Sequence, residues 1–309
     1  MSRAAPVSPH RAMAEGRPSQ ARLYLLLTLM VLFWSVNFII GKYALDRLPA
    51  FFVFGMRTFL AGAFIWPVYF WQRYRAPERT QWTWSEGLWL LLLGICGVPL
   101  NQLFFVVGLS RTSVSHAAIG VAMSPILVLA LASMIGQERL SARKLLGMML
   151  ALAGVAAVEM GRSNGHGVTF TGDFCIFLSS LILSVFTVIG KRVSSRHGGI
   201  TMFTFAYVGG GLMVLPLTLW EASRFPIAQV SLAAWLSVIY MAIFPAVVSY
   251  LLYYYALTYT TASRVSVFQC FQPVLAILLA IVFLDERATA PLVTGGIVVL
   301  TGVSITERT

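Results

Sequence analysis

The sequence predicts an all-α integral membrane protein whose ten transmembrane helices form two inverted five-helix repeats. Three observations predict this fold class: the composition is strongly apolar, ten segments are long enough to span a bilayer, and the second half repeats the first. Hydrophobic residues make up 58% of the chain, charged residues 11%, and the mean hydropathy is +0.81. Soluble domains carry about 25% charged residues, so the composition excludes an ordinary soluble domain.

The duplication is visible in a gapless overlay at an offset of 148 residues. Laying residues 102–155 over residues 250–303 gives 15 identities in 54 positions. Several are Pro, Gly or charged residues, which apolar composition alone would not align: Pro125 on Pro273, Glu138 on Glu286, Gly147 on Gly295 and Gly154 on Gly302. The front of each half also agrees, at an offset of 149, with Ser35 on Ser184. The chain is therefore an internal duplication.

Each apolar segment is taken as one span, because about 20 apolar residues cross roughly 30 Å of hydrocarbon. The spans cover residues 23–45, 50–72, 87–109, 113–135, 145–161, 172–193, 202–220, 232–257, 262–284 and 290–306. The fifth and tenth are short, so interfacial residues are expected to complete them. Residues 1–22, rich in Ser, Pro, Ala and Arg, are predicted to form a disordered cytoplasmic tail. The two five-helix repeats are predicted at residues 23–161 and 172–306.

The orientation of the spans follows from the Lys and Arg residues of the connections. If the N-terminus is cytoplasmic, that side of the membrane holds fifteen of these residues and the opposite side holds six. Both termini are therefore predicted to be cytoplasmic, and the net charge of +11 is explained without a nucleic-acid partner. Because each repeat has an odd number of spans, the second enters the membrane from the opposite side, as in many secondary transporters.

The sequence contains no motif typical of a catalytic, cofactor or metal site. Cys96, Cys175 and Cys270 each lie inside an apolar run, which is typical of packing residues. No phosphate loop, zinc-ligand spacing or Rossmann fingerprint is present, so neither a cofactor nor a metal is predicted. An intramembrane enzyme or a receptor is the competing class of protein. An enzyme would need metal-spaced His residues or paired deep carboxylates, and the sequence contains neither.

The repeated motifs resemble the EamA family of the drug/metabolite transporter superfamily. The resemblance lies in the ten spans, in Pro-x-Leu and then Glu-Arg at the fourth and ninth spans, in the following Gly-x6-Gly, and in an Arg in the second span. It covers residues 23–306 and implies a bacterial inner-membrane carrier, not an enzyme. Such carriers export small metabolites, often amino acids, through a cavity between two five-helix bundles.

From this resemblance we expect a monomer in the lipid bilayer that exports amino acids or related zwitterions by alternating access. A proton-coupled multidrug efflux antiporter is the alternative. Every acidic residue lies in the tail, in a connection, or within about a turn of a predicted helix end, with Glu159 and Asp173 just inside the ends of the fifth and sixth spans. Proton antiport commonly uses a deep carboxylate with a raised pKa. We therefore expect facilitated export without obligatory proton exchange.

Pro125 and Pro273 lie at the centres of the fourth and ninth spans. A proline inside a helix removes a backbone hydrogen bond and clashes with the preceding turn, so both spans are predicted to kink near the midplane. The kinks are predicted to be hinges beside the cavity. A static kink that suits packing is the alternative.

Polar side chains inside hydrocarbon usually face the interior of a bundle. The residues predicted on this basis to line a substrate site are Trp34, Asn37, Asn101, Gln102, Ser124, Gln269 and Gln272. Together they suit a zwitterionic or hydroxylated solute. For each amide, a bridge between two helices is the alternative.

Aromatic and charged side chains complete the predicted site. Tyr250 and Tyr253 lie on one face of the eighth span and are predicted to form an aromatic wall, with membrane-interface anchoring as the alternative. Arg57 is the one basic residue well inside a span, where a charge is costly enough to suggest a function such as binding a substrate carboxylate. Its position within the family favours the alternative, a structural Arg that caps carbonyl groups or snorkels outward.

Two repeated features are predicted to be structural. The paired glycines at 147 and 154, and at 295 and 302, are about two turns apart and allow close packing of one helix face. Glu138 and Glu286, each followed by Arg, are predicted to form local salt bridges at opposite membrane surfaces.

Overall fold

The computed structural model describes residues 18–75, 84–136, 141–160, 169–197, 199–259, 268 and 271–307, and this part of the chain is helical with short connections. The α-helices are α1 Gln20–Leu45, α2 Ala50–Arg75, α3 Trp84–Arg111, α4 Val114–Ala122, α5 Ser124–Met134, α6 Ala142–Met160, α7 Phe170–His197, α8 Gly199–Arg224, α9 Leu232–Ile243, α10 Ser249–Tyr259, α11 Phe271–Leu284 and α12 Ala290–Glu307.

These helices confirm the predicted fold class, an all-α membrane protein of two five-helix repeats. The fourth span consists of α4 and α5, and the eighth of α9 and α10 with a π-helical turn at Phe244–Val248 between them. By length and composition alone, five described helices can cross a membrane: Gln20–Leu45, Ala50–Tyr74, Val114–Met134, Ile200–Arg224 and Leu232–Tyr253. Shorter apolar helices cover Phe170–Phe186, Phe271–Leu284 and Ala290–Ile305.

Among the helix pairs that join the repeats, two consist of equivalent helices: α2 packs on α8, and α6 packs on α12. The second crossing depends on glycine. A Cβ atom at Gly154 would lie 2.7 Å from the carbonyl oxygen of Gly295, and one at Gly302 would lie 2.5 Å from that of Gly147. These neighbours are backbone atoms, which cannot rotate away. The predicted role of the glycine pairs in close packing is therefore observed.

The repeats also exchange hydrogen bonds in equivalent places. The hydroxyl of Ser35 on α1 donates to the carbonyl oxygen of Gln272 at 3.2 Å. The hydroxyl of Ser184 on α7 donates to the carbonyl oxygen of Ser124 at 3.3 Å. Ser35 and Ser184, like Gln272 and Ser124, are paired in the sequence overlay, so a single pattern of contacts is used twice. Both acceptors directly precede the repeated prolines.

Prolines mark two interruptions of the spans. The fourth span breaks at Met123, two residues before Pro125, which lies in the first turn of α5. The eighth span carries its π-helical turn at Pro245, a break that was not predicted. Pro273 is buried in the first turn of α11, and residues 269 and 270 before it lie outside the described part. Whether Pro125 and Pro273 act as hinges stays a prediction.

Among the described residues, the largest cluster of buried apolar side chains extends to the end of the bundle where α1 terminates, which we call the Lys42 end. One cluster of buried side chains there joins the α1–α2 connection to α3, α4 and α9, through Leu48, Phe52, Leu109, Val114 and Val238. The predicted orientation makes this the external end. A separate, smaller cluster joins α1 to α10 at the opposite end, around Leu27 and Ala256.

Candidate functional site

Aromatic rings from α1, α8 and α10 meet where the two repeats face each other. The ring of Trp34 lies 5.5 Å from that of Tyr250 and 6.3 Å from that of Tyr253. The indole N–H of Trp34 donates to the carbonyl oxygen of Pro245 at 3.0 Å, a carbonyl within the π-helical turn. Tyr250 also contacts Phe203 at 4.5 Å between ring centroids. The predicted tyrosines therefore lie inside the bundle, in contact with Trp34.

Arg57 lies next to this aromatic group and is 3% exposed. Its guanidinium carbon is 5.9 Å from the centroid of the Phe105 ring, and the guanidinium lies within electrostatic range of the hydroxyls of Tyr207 and Tyr250. The Nε and Nη1 atoms of Arg57 are buried and have no hydrogen-bond partner. A buried charge without partners carries a desolvation cost of several kcal/mol, so this arrangement is unusual.

Four further buried polar atoms on α1, α3, α8 and α10 also have no hydrogen-bond partner. They are Asn37 Oδ1, Gln102 Oε1, the Tyr207 hydroxyl and the Ser249 hydroxyl. Helical spacing puts Asn37 on the same face of α1 as Trp34, and Gln102 on the same face of α3 as Phe105. Gln102 and Tyr250 are paired in the sequence overlay, so α3 and α10 present equivalent positions to the centre. We call Trp34, Asn37, Arg57, Gln102, Tyr207 and Tyr250 the central cluster.

Other predicted site residues have different surroundings. The side-chain amide nitrogen of Asn101 donates to the carbonyl oxygen and to the hydroxyl of Ser179, both at 2.8 Å. Asn101 thus bridges α3 and α7, the alternative that the sequence left open. The backbone carbonyl oxygens of Gln272 and Ser124 accept the hydrogen bonds from Ser35 and Ser184 described above. The side-chain hydroxyl of Ser124 has no partner. Gln269 lies outside the described residues.

A polar network closes the Lys42 end. The carboxylate of Glu286 accepts hydrogen bonds from the backbone N–H groups of Val114 at 2.7 Å and Ser115 at 3.1 Å, the first residues of α4 in the other repeat. The ammonium of Lys42 donates to the carbonyl oxygens of Leu109 at 3.2 Å and Thr112 at 2.9 Å. Glu286 therefore caps a helix of the other repeat, whereas the sequence predicted a local salt bridge.

The same network includes the one acidic residue of α7. The hydroxyl of Thr112 donates to Asp173 Oδ1, and Asp173 Oδ2 lies 3.4 Å from His116 Nδ1. Asp173 is in the first turn of α7. It therefore lies at the Lys42 end, as its sequence position predicted, and not beside the central cluster.

Comparison with known proteins identifies the family. The model of the EamA-like transporter family matches residues 21–160 and again residues 170–307, which together are most of the chain. The chain belongs to the EamA-like transporter family. The two matches coincide with the two repeats, and the family is one of membrane transporters.

Relatives match most of the length of the chain. An uncharacterized transporter of Archaeoglobus fulgidus is 28% identical over 93% of this chain and 97% of its own. The uncharacterized transporter YetK of Bacillus subtilis is 26% identical over 86% and 81%. A probable terminal-alkyne amino-acid exporter of Streptantibioticus cattleyicolor is 22% identical over 71% and 72%. A crystal structure 18% identical to the chain shares the fold, with a TM-score of 0.64 over 93% of this chain and 96% of that one.

Several residues of this EamA site were not predicted from sequence. Phe105, Phe203, Tyr207 and Ser249 carry no signal of their own, because aromatic and hydroxyl side chains are common in membrane helices. One usable signal was the duplication, since Ser249 and Tyr250 occupy the positions equivalent to Asn101 and Gln102. Considering such pairs together would have pointed to Ser249.

A concave surface lies on the outside of the EamA bundle. A groove of about 220 Å³ runs between α2 and α8, over Gly62 and Gly211, and is lined by Phe59, Trp66 and Leu212 with Tyr207 at its floor. Its lining is almost entirely apolar, and Trp66 and Leu212 are exposed. The groove suits the acyl chains of the bilayer and offers nothing to a polar solute.

Proposed function

We propose that this EamA transporter exports small zwitterionic metabolites, with amino acids as the main class, by alternating access across the bacterial inner membrane. The observation that carries the proposal is the central cluster, whose buried donors and acceptors come from both repeats and have no hydrogen-bond partner. Each unsatisfied buried polar group costs about 1–3 kcal/mol. A small solute with its own donors and acceptors offsets that cost on binding.

The chemistry of the cluster favours a metabolite over the multidrug alternative. Asn37 Oδ1 and Gln102 Oε1 are acceptors, Arg57 supplies N–H donors, and the hydroxyl of Tyr207 can do either. A solute that carries both an ammonium and a carboxylate satisfies both kinds of atom. An apolar drug would leave all of them unpaired. Trp34 and Tyr250 add the apolar surface against which a side chain packs.

The relatives support the same class. The Streptantibioticus cattleyicolor protein is named as a probable exporter of amino acids, and we extend that class to this chain without its particular substrate. Inverted repeats in transporters place the substrate site near the midplane, between the halves. The duplicated contacts of Ser35 and Ser184 support an exchange of conformation between the halves, in which Pro125 and Pro273 are the proposed hinges.

A transport assay tests the proposal. The purified protein, reconstituted as a monomer into liposomes, is loaded with unlabelled amino acids and offered each labelled amino acid in turn. Counterflow of at least one above protein-free liposomes is expected, because a carrier exchanges substrate without net energy input. Asn37→Leu and Gln102→Leu should each reduce that counterflow at least tenfold, while Thr301→Val, on an exposed face of α12, should not. Absence of counterflow for every amino acid would refute the substrate class.

A further inference from the structure

We infer that Arg57 is the receptor for a substrate carboxylate, so that a carboxylate is the obligatory group of the exported molecule. This inference rests on the proposed function and deepens it. It predicts how substrates rank by the charged groups that they carry. Acids that lack the ammonium group should still bind, whereas amines and amides that lack the carboxylate should not.

Both structural roles open to Arg57 are disfavoured by its surroundings. A snorkelling arginine would reach water, but Arg57 is 3% exposed. An arginine that caps carbonyl groups would donate hydrogen bonds to them, but Nε and Nη1 of Arg57 have no hydrogen-bond partner. Among the described residues, Arg57 also forms no ion pair. Its charge is thus buried and uncompensated, and an anion from outside the chain is what would compensate it.

The groups around Arg57 suit a carboxylate. The flat guanidinium presents two parallel N–H donors that match the two oxygens of a carboxylate, and such charge-assisted bonds are the strong ones. The hydroxyl of Tyr207 is fully buried, has no partner and lies within electrostatic range of Arg57. It supplies a further donor. The rings of Phe105 and Tyr250 exclude water from the same space, which strengthens each of these bonds.

The charge of the cluster limits the anion to a single negative charge. Arg57 is the one cationic side chain of the central cluster, so a phosphate dianion would keep an uncompensated charge in an apolar setting. A carboxylate monoanion leaves none. The ammonium of an amino acid, in turn, finds ring faces at Trp34 and Tyr253 and the acceptor on Asn37, where cation–π contact and hydrogen bonding are available.

Replacement of Arg57 affects stability in opposite directions under the two roles. If Arg57 were structural, Arg57→Met would leave its partners unpaired and lower the melting temperature. If Arg57 instead binds a substrate anion, the same substitution removes a buried charge that is uncompensated in the ligand-free protein. It replaces that charge with an apolar side chain of similar length. The melting temperature of the ligand-free variant should then equal or exceed that of the wild type. Arg47→Met, at an exposed arginine that stacks on Tyr43, is the matched control.

The decisive experiment measures thermal stability of the purified protein in detergent with four probes that share one side chain. L-leucine and 2-hydroxy-4-methylpentanoate keep the carboxylate; L-leucinamide and 3-methylbutylamine lack it. Each is compared with sodium chloride at equal ionic strength. The two acids should raise the melting temperature of the wild type and of Arg47→Met, and the other two should not. Arg57→Met should lose the response to the acids, and Tyr207→Phe should need at least tenfold more acid for the same shift.

Each result supports or contradicts the role of Arg57 as the carboxylate receptor. Equal shifts with leucine and leucinamide in the wild type, no shift with either acid, or an unchanged response in Arg57→Met would overturn the inference. Destabilisation of ligand-free Arg57→Met would assign Arg57 a structural role, and if that variant does not fold, the wild-type ranking and Tyr207→Phe still decide. Transport is a separate readout. Amino-acid counterflow without selectivity for acids in binding would contradict only the role of Arg57. Selective binding of acids without counterflow would contradict only the proposed transport function.

Discussion

The carboxylate of Glu286 accepts a 2.7 Å hydrogen bond from the backbone N–H of Val114, a residue of the other repeat. A second bond comes from Ser115, and the hydroxyl of Ser113 accepts the next N–H of α4, that of His116. Helix starts leave such N–H groups without intrahelical partners. The start of α4 is therefore capped from two sides, and one of the caps ties the repeats together at the Lys42 end.

Loss of this cap should be measurable as loss of stability. Glu286→Ala is expected to lower the free energy of unfolding by about 1–2 kcal/mol, because two N–H groups of α4 lose a charged acceptor. A thermal unfolding scan of the purified protein gives the change in melting temperature. Arg287→Ala, at the exposed neighbouring residue, is the control and should leave the melting temperature nearly unchanged. Similar effects of both substitutions would show that the contact does not contribute.

The crossing of α6 and α12 gives a second prediction. Gly154→Ala and Gly302→Ala each put a methyl group against backbone atoms of the partner helix, so the helices must separate at a cost of about 1–3 kcal/mol. Gly296→Ala lies on the same helix as Gly302, but its new Cβ would meet its nearest neighbour, a side-chain atom of Ile119, at 3.7 Å. Unfolding scans should show a lower melting temperature for the first two substitutions only. A comparable loss for Gly296→Ala would mean that the crossing is not what limits glycine replacement.

Much of this architecture could be predicted from sequence because its signals are long or repeated. Apolar runs of span length have one physical solution in a bilayer, so helix positions agree closely with the predicted ones. The duplication placed Gly147 opposite Gly295 in the alignment, and the structure brings their helices into contact. Repetition works here because each repeat must build a surface that fits the other.

Side-chain partners could not be predicted in the same way, because they depend on the rotation and depth of one helix against another. Asn101 and Gln102 are neighbours of the same chemical kind, yet one bonds to Ser179 and the other has an unpartnered oxygen. Glu286 looked like a residue with a local arginine partner, and it bonds instead to backbone in the other repeat. Nothing in the sequence of either segment encodes those distances.

The orientation of the bundle is open to a direct test. The balance of Lys and Arg predicts that residues 161–171, between the two repeats, are external. A cysteine introduced as Ser163→Cys, in a background where the native cysteines are replaced, should react with a membrane-impermeant reagent in intact cells. Labelling that appears only after lysis would reverse the orientation. It would also place the Lys42 end in the cytoplasm.

Energy coupling gives the last prediction. A carboxylate that exchanges protons for substrate should lie where the substrate binds, since the two must compete for it. Asp173 does not, because its oxygens face Thr112 and His116 at the Lys42 end. The side chain of Glu159 lies outside the described residues, so both acids are tested. Counterflow in liposomes should persist when the pH gradient and the membrane potential are collapsed, and Asp173→Asn and Glu159→Gln should each retain it.

Because counterflow requires only exchange, a second measurement is needed: uptake against a concentration gradient should not follow an imposed pH gradient. If it does, and if either substitution abolishes it, the protein is a proton antiporter and the cluster around Arg57 works together with a titrating acid.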